Sequence, residues 1–266
     1  MQIRDLGKID APVLLFGGVY GNLQALEALL DVANTLGVVP VCTGDIVAYC
    51  ADGEACCQLF QRENIVTIAG NCERNLATGA ADCGCGFEAG TACDRLSAAW
   101  FAHAQKTISS RSLAWMRDLP DRITFSHAGR RYGVLHGAAG DIARFIWPVS
   151  ADIAAQIAIA EAQLGPLDGV ISGHAGLGFK QGRWLNSGAI GMPPNGGVPE
   201  TCFAILNQGA VRFERLAYDH KAAKAAMEVA GLTQGYEKTL ASGWWPSEDT
   251  LPKRLKRGGV FPAPAL

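Results

Sequence analysis

Four polar residues sit beside a glycine at the end of an apolar run. Asp45 follows Gly44, Asn71 follows Gly70, His136 precedes Gly137 and His174 follows Gly173. In open α/β sheets, ligands bind at the carboxyl ends of the strands. Glycine there lets the chain turn sharply and leaves room for a ligand. One carboxylate, one amide oxygen and two imidazoles form a mixed oxygen and nitrogen donor set. Such a set suits Mn, Fe, Zn or Ni better than Ca or Mg, so one divalent transition metal is the expected cofactor. Taken singly, each residue also reads as an ordinary turn residue or a buried, hydrogen-bonded histidine. The recurrence of the same placement four times argues for a site.

The elements that must position these residues are legible as periodicity. Residues 13–16, 38–42 and 65–69 read as buried strands, separated by helices that start near Asn22 and span about 53–63. Asn22 is a plausible N-cap and Gly37 a stop. Residues 77–92, rich in Gly, Ala and Cys, show no period and read as a loop or broken helix. Helices follow near 94–106 and 110–119, then a hairpin of 123–127 with 131–136, a helix near 151–164, a strand at 169–172 and hairpins over 178–187 and 202–215. The rhythm is mixed α/β.

Composition bounds the remaining possibilities. The 266 residues are 49% hydrophobic and 18% charged, which is globular and leaves ample core. A formal net charge of −2 gives no electrostatic case for nucleic acid as a partner. No apolar run approaches the ~20 residues of a spanning helix. Residues 1–10 carry mixed charges, without a signal-peptide pattern. The expectation is a cytoplasmic protein that binds neither nucleic acid nor membrane, with homo-oligomerisation left open. Nine cysteines is a high count. Cys42 and Cys202 read as core residues. Cys83, Cys85 and Cys93 form the densest thiol group, either a metal site, incidental thiols or a loop disulfide. A redox or metal protein built on these with Cys50 and Cys72 is a third functional reading. At Trp244-Trp245-Pro246, at least one indole is expected to pack back onto the domain or onto a partner.

The blocks Gly18-Val19-Tyr20-Gly21-Asn22, Gly44-Asp45, Gly70-Asn71-Cys72-Glu73, His136-Gly137, Gly173-His174-Ala175-Gly176 and Asn186-Ser187-Gly188 occur in that order. Together they resemble the calcineurin-like metallophosphoesterase family, in particular its small bacterial phosphodiesterase branch. The resemblance runs from about 13 to 215. It implies a four-layer α/β/β/α sandwich and a single domain over 1–266, with a core of about 11–216 and C-terminal helices and tail over 217–266.

The resemblance also implies two metals sharing a bridging Asp. Carried over by position, one subsite is complete in Asp45, Asn71, His136 and His174. The other lacks its ligands at Gly18, Tyr20 and Gly176. Tyr20 there reads as a pocket-lining aromatic or a phenolate ligand. Cys72 stands where the family carries a general-acid His. Cys72 and Glu73 are therefore the candidate catalytic residues, with Glu73 alternatively capping a helix. Asn22 and Arg74 are candidate substrate-binding residues for the phosphate. The implied function is a divergent phosphoesterase with one metal, acting weakly if at all on small phosphate mono- or diesters, nucleotides among them. The alternative is a non-catalytic phosphate-, nucleotide- or partner-binding protein on the same scaffold.

Overall fold

A computed structural model describes residues 1–85 and 90–259, with Asp94 described for its backbone alone. The core strands β2 (Val13–Phe16) and β3 (Val39–Cys42) pair in parallel and lie at the centre of a five-stranded sheet. Their runs are continuously apolar because both faces are covered. β4 (Val66–Thr67) extends the sheet on one side; β10 (Thr201–Asn207) and β11 (Ala210–Leu216) extend it on the other. The second sheet has six strands in the order β1 (Ile3–Lys8), β5 (Arg122–His127), β6 (Arg130–Val134), β7 (Gly169–Ser172), β9 (Trp184–Ser187) and β8 (Gly178–Gln181).

Side chains alternate across each strand, and this alternation builds the layers. Val13, Leu15 and Val41 of one sheet meet Ile123, Phe125, Val134 and Ile171 of the other. Leu14 and Phe16 point the opposite way, into a cluster with α1 (Leu23–Leu36) and α2 (Gly53–Arg62). On the far side, Val170 and Trp184 pack on α6 (Ile153–Leu164). The result is the expected four-layer α/β/β/α sandwich. The remaining helices are α3 (Asn71–Thr78), α4 (Ala92–Thr107), α5 (Ser110–Asp118), α7 (His220–Val229) and α8 (Tyr236–Ser242). Among the described residues, no helix is long and apolar enough to cross a membrane.

The expected elements differ from the structure in three places. Residues 1–10 contain β1, which pairs in parallel with β5. It is an exposed edge strand, so it carries no apolar alternation to reveal it. β4 is two residues long, and the chain after it enters α3 at Asn71. Of the expected loop 77–92, residues 79–85 are turns and bends, α4 begins at Ala92, and 86–89 lie outside the described residues.

Leu15 is fully buried between the sheets. Leu15→Ala is expected to lower unfolding free energy by about 2–5 kcal/mol in a urea titration followed by circular dichroism. A smaller loss would mean that the inter-sheet space closes on itself.

Candidate metal centre

The loop after β3 carries Asp45 in a left-handed conformation, φ 57°. What holds it there is Glu73, in the first turn of α3. One Glu73 oxygen accepts from the Asp45 and Gly70 amides at 2.9 and 2.8 Å; the other accepts from Ile46 and Val47 at 2.7 and 3.1 Å. Glu73 is fully buried. Burial and Asp45 push its pKa up, while amides including those of Val47 and Gly70 favour the charged form. The two loops thereby close on each other. A Cβ on Gly44 would stand 2.6 Å from the Gly70 nitrogen, and one on Gly70 would stand 2.2 Å from Asp45 Oδ1. This contact is the reason both positions are glycine.

Four donor atoms converge in front of this clasp. His136 Nδ1 donates to the Thr43 carbonyl at 2.6 Å, which turns Nε2 inward. His174 Nε2 donates to the Ala143 carbonyl at 2.8 Å, which turns Nδ1 inward. The Asn71 Nδ2 amide donates to the Cys83 carbonyl at 3.0 Å, leaving Oδ1 facing the centre. His136 Nε2 then lies 3.1 Å from Asn71 Oδ1, 3.2 Å from His174 Nδ1 and 3.2 Å from Asp45 Oδ2. The Asp45 to His174 separation is 3.9 Å.

With both imidazoles neutral, these inner atoms are all acceptors. One proton on His136 Nε2 satisfies one neighbour and leaves the others facing lone pairs. A cation satisfies all four together. Ligands held about 2.0–2.1 Å from one ion stand roughly 3.0–3.4 Å from each other, close to the spacing seen. The outer atom of each imidazole is bound to a carbonyl, as metal-binding histidines usually are. The residues present therefore fit a single small divalent ion.

Asp45 is buried, which disfavours its charge, but the two imidazoles outweigh burial and hold its pKa well below the usual carboxylate range. Burial also works against a charged His136, yet Asp45 raises its pKa. His174 goes the other way, lowered by burial and by the charge on His136. Phe145 stacks on His174 at a centroid distance of 4.3 Å.

Tyr20 lies beside Gly18 and Gly176, two positions at which the family resemblance would put ligands of a second ion. A Cβ on Gly18 would stand 2.4 Å from Tyr20 Cζ, and one on Gly176 would stand 3.7 Å from its hydroxyl. The ring therefore occupies the space that a side chain at 18 would need, whereas a Cβ at 176 would meet Trp245 and Tyr20 only in ordinary contact. Burial and Asp45 raise the Tyr20 pKa well above the ordinary value, which favours the neutral phenol in the metal-free protein. Beside it lies a cavity of about 60 Å³, lined among others by Tyr20, Tyr49, Phe145, His174, Tyr236 and Trp245.

The other sequence candidates do not reach the centre with free polar atoms. Asn22 is fully buried, with its Oδ1 accepting from the Ala25 amide as the cap of α1 and its Nδ2 donating to the Gly191 carbonyl, so it offers no exposed group to a phosphate. Arg74 points away, to the Arg117 and Leu119 carbonyls and to Asp121 at 2.7 Å. The Cys72 thiol is buried behind Asn71, and burial raises its pKa strongly, which suits packing better than proton transfer. Glu73 has both oxygens on backbone amides. It is a positioning residue, because nothing remains to face a substrate.

Sequence patterns could not have singled out the Thr43 and Ala143 carbonyls, since every residue has one. Asn186 also supports the site: its Nδ2 donates to the Gly173 carbonyl at 2.6 Å, just before His174. Its place in the Asn-Ser-Gly turn was the available signal.

No family model matches the chain. A metallophosphoesterase from Sphaerobacter thermophilus superposes with a TM-score of 0.68 at 22% identity, covering 88% of this chain and 100% of that one. A hypothetical protein from Pyrococcus horikoshii OT3 superposes with a TM-score of 0.71 at 17% identity, covering 87% and 98%. In sequence, an uncharacterized protein of Methanocaldococcus jannaschii is 21% identical over 246 residues, covering 81% of this chain and 91% of its own. The fold is thus the metallophosphoesterase fold, as the motif blocks imply.

Two outcomes test this geometry. Glu73→Ala leaves four buried amides without an acceptor, each costing about 1–3 kcal/mol. It should lower stability by at least about 2 kcal/mol and weaken metal binding, whereas Arg74→Ala should leave metal binding unchanged; both are read by denaturant titration and chelator competition. In the metal-free protein, the raised His136 contributes stability below its ordinary pKa of about 6.5 that is lost as pH rises through its folded value. A metal must displace that proton. Metal affinity should therefore fall about tenfold per pH unit below the folded His136 pKa and level off above it; a flat profile would exclude His136 as a ligand.

Proposed function

We propose that this chain is a divergent calcineurin-like metallophosphoesterase holding one divalent transition metal on Asp45, Asn71, His136 and His174. Its substrates are small phosphate mono- or diesters, turned over slowly. The observation that carries this reading is the convergence of four inward acceptors whose outer atoms are already bonded, next to a Tyr20 ring packed over Gly18. A bound ion supplies Lewis-acid polarisation of a phosphoryl oxygen.

The chain's own residues do the rest. Thr43, Ala143 and Cys83 orient the three neutral ligands through their carbonyls. Phe145 and Trp147 help shield one side of the centre from water. Tyr20 presents a protonated phenol beside the cavity, able to donate a hydrogen bond to an oxygen placed there. No described side chain offers a leaving-group acid in the manner of the family's histidine. That assistance is worth typically about 10²–10⁴-fold.

The cavity favours a second reading. Its ~60 Å³ beside His174 exceeds what a single water needs and leaves room for a phosphoryl-sized group. A non-catalytic protein that binds phosphate at the metal fits the same walls.

Purification without chelators followed by elemental analysis should give about one metal per chain, lost in His136→Ala and in His174→Ala. Bis-p-nitrophenyl phosphate and p-nitrophenyl phosphate should be hydrolysed slowly with Mn or Zn. Phosphate binding without turnover would select the second reading. No metal after reconstitution with Mn, Fe, Zn or Ni would overturn both.

A further inference from the structure

Three cysteines outside the donor set crowd the back of one of its members. Cys83 and Cys85 form a disulfide. The Cys72 sulfur lies 4.0 Å from that of Cys85. All three touch the same group, the amide nitrogen of Asn71. It donates to the Cys83 carbonyl at 3.0 Å and lies 3.4 Å from the Cys85 sulfur and 3.6 Å from the Cys72 sulfur. Cys50 and Cys93 lie elsewhere: Cys50 faces the Gly191 carbonyl and Cys93 lines the cavity. The five thiols singled out in the sequence therefore do not form one cluster.

The position matters because of how an amide works as a ligand. Asn71 Oδ1 faces the metal position only while Nδ2 is tethered on the opposite side. The tether is a backbone carbonyl inside the small ring closed by the Cys83–Cys85 bond. Asp82 caps that ring by accepting from the Gly84 amide at 2.9 Å, and Asn75 Nδ2 donates to the Asp82 carbonyl at 3.0 Å. The segment is thus anchored to α3, the helix that bears Asn71. When the bond opens, the two sulfurs must separate to non-bonded distance, and the Cys83 carbonyl, in the same residue, is no longer held by the ring.

We propose that the Cys83–Cys85 pair is a redox site whose state sets the metal affinity of the centre through Asn71. The inference rests on the metal-binding reading above. The partner is a dithiol reductant. Its thiolate attacks one sulfur of the pair and breaks the bond to give a mixed disulfide. Its second thiol then attacks its own sulfur and releases the cysteine. The dithiol leaves as a disulfide, and its two protons and two electrons end on Cys83 and Cys85. A disulfide oxidant such as oxidised glutathione reverses the exchange. In the disulfide form Asn71 is held for the metal; in the dithiol form the hold is lost. Outer partners of metal ligands are typically worth about 10–100-fold in affinity.

Mn²⁺ is the suitable probe, because it favours oxygen and nitrogen over thiolate and will not report binding to the freed thiols. The full chain is oxidised with oxidised glutathione or reduced with a dithiol that is then removed without air. Mn²⁺ affinity is measured by chelator competition, and thiols are counted by alkylation and intact mass. The expected result is two more alkylated cysteines and Mn²⁺ binding about tenfold or more weaker after reduction. Cys83→Ser/Cys85→Ser should show the weak affinity under both treatments. Asn71→Ala should bind weakly with no redox dependence, which a general loosening of the fold would not produce. Equal or tighter Mn²⁺ binding in the reduced wild type overturns this proposal alone, as does failure of the pair to oxidise. No Mn²⁺ binding in either state overturns the metal reading with it.

Discussion

The centre depends on one buried carboxylate. Glu73 accepts four backbone amides, three from the loop that carries Asp45 and one from Gly70, the cap of the helix that carries Asn71. A carboxylate is among the few groups able to take four such bonds at once, and charge makes each stronger than a neutral bond. It joins two loops of the same sheet that the chain visits 28 residues apart. Without it, Asp45 has no reason to adopt a left-handed conformation. Gly44 and Gly70 are the steric counterpart of the same contact, since a side chain on either would hold the loops apart.

The histidines arrive from the other sheet, after β6 and β7. The two donor pairs therefore meet only when the sheets pack face to face through Leu15, Val41, Phe125 and Val134. Packing of the hydrophobic layer and assembly of the polar centre are one event. This couples the charge on Asp45 to two imidazoles in a dry environment, which explains why one histidine is raised and the other lowered. Proximity to the same carboxylate does not suffice for both, because two adjacent imidazolium ions repel.

Beside the centre the wall is aromatic. The Tyr20 ring takes the space over Gly18 and packs edge-to-face with Tyr49 at a centroid distance of 4.8 Å. The C-terminal segment completes the wall: the Trp245 indole donates to the Pro193 carbonyl at 2.7 Å, and its backbone amide donates to Asn195. Trp244 turns outward under Arg257. The adjacent tryptophans thus serve opposite sides of the segment, one facing the cavity and one facing solvent.

Strand and helix periods, the glycines at strand ends and the four polar residues beside them were legible in sequence because each is a local pattern. So were the glycines at 18 and 176. Edge strand β1 was not, because an exposed strand needs no apolar alternation. Asn22 and Arg74 looked available for phosphate because sequence shows what a residue can bond, not what it has already bonded. In the fold, Asn22 is buried on a helix cap and a distant carbonyl, and Arg74 is bound to the segment from Arg117 to Asp121 that leads into β5. Sequence by itself determined the elements, their order and the chemical types gathered at the strand ends, since these follow from periodicity and residue identity. Tertiary structure alone decided that Glu73 is a clasp, that the Tyr20 ring packs over Gly18 and that three cysteines meet behind Asn71. Those outcomes rest on contacts between residues distant along the chain and on backbone groups, which carry no residue signature.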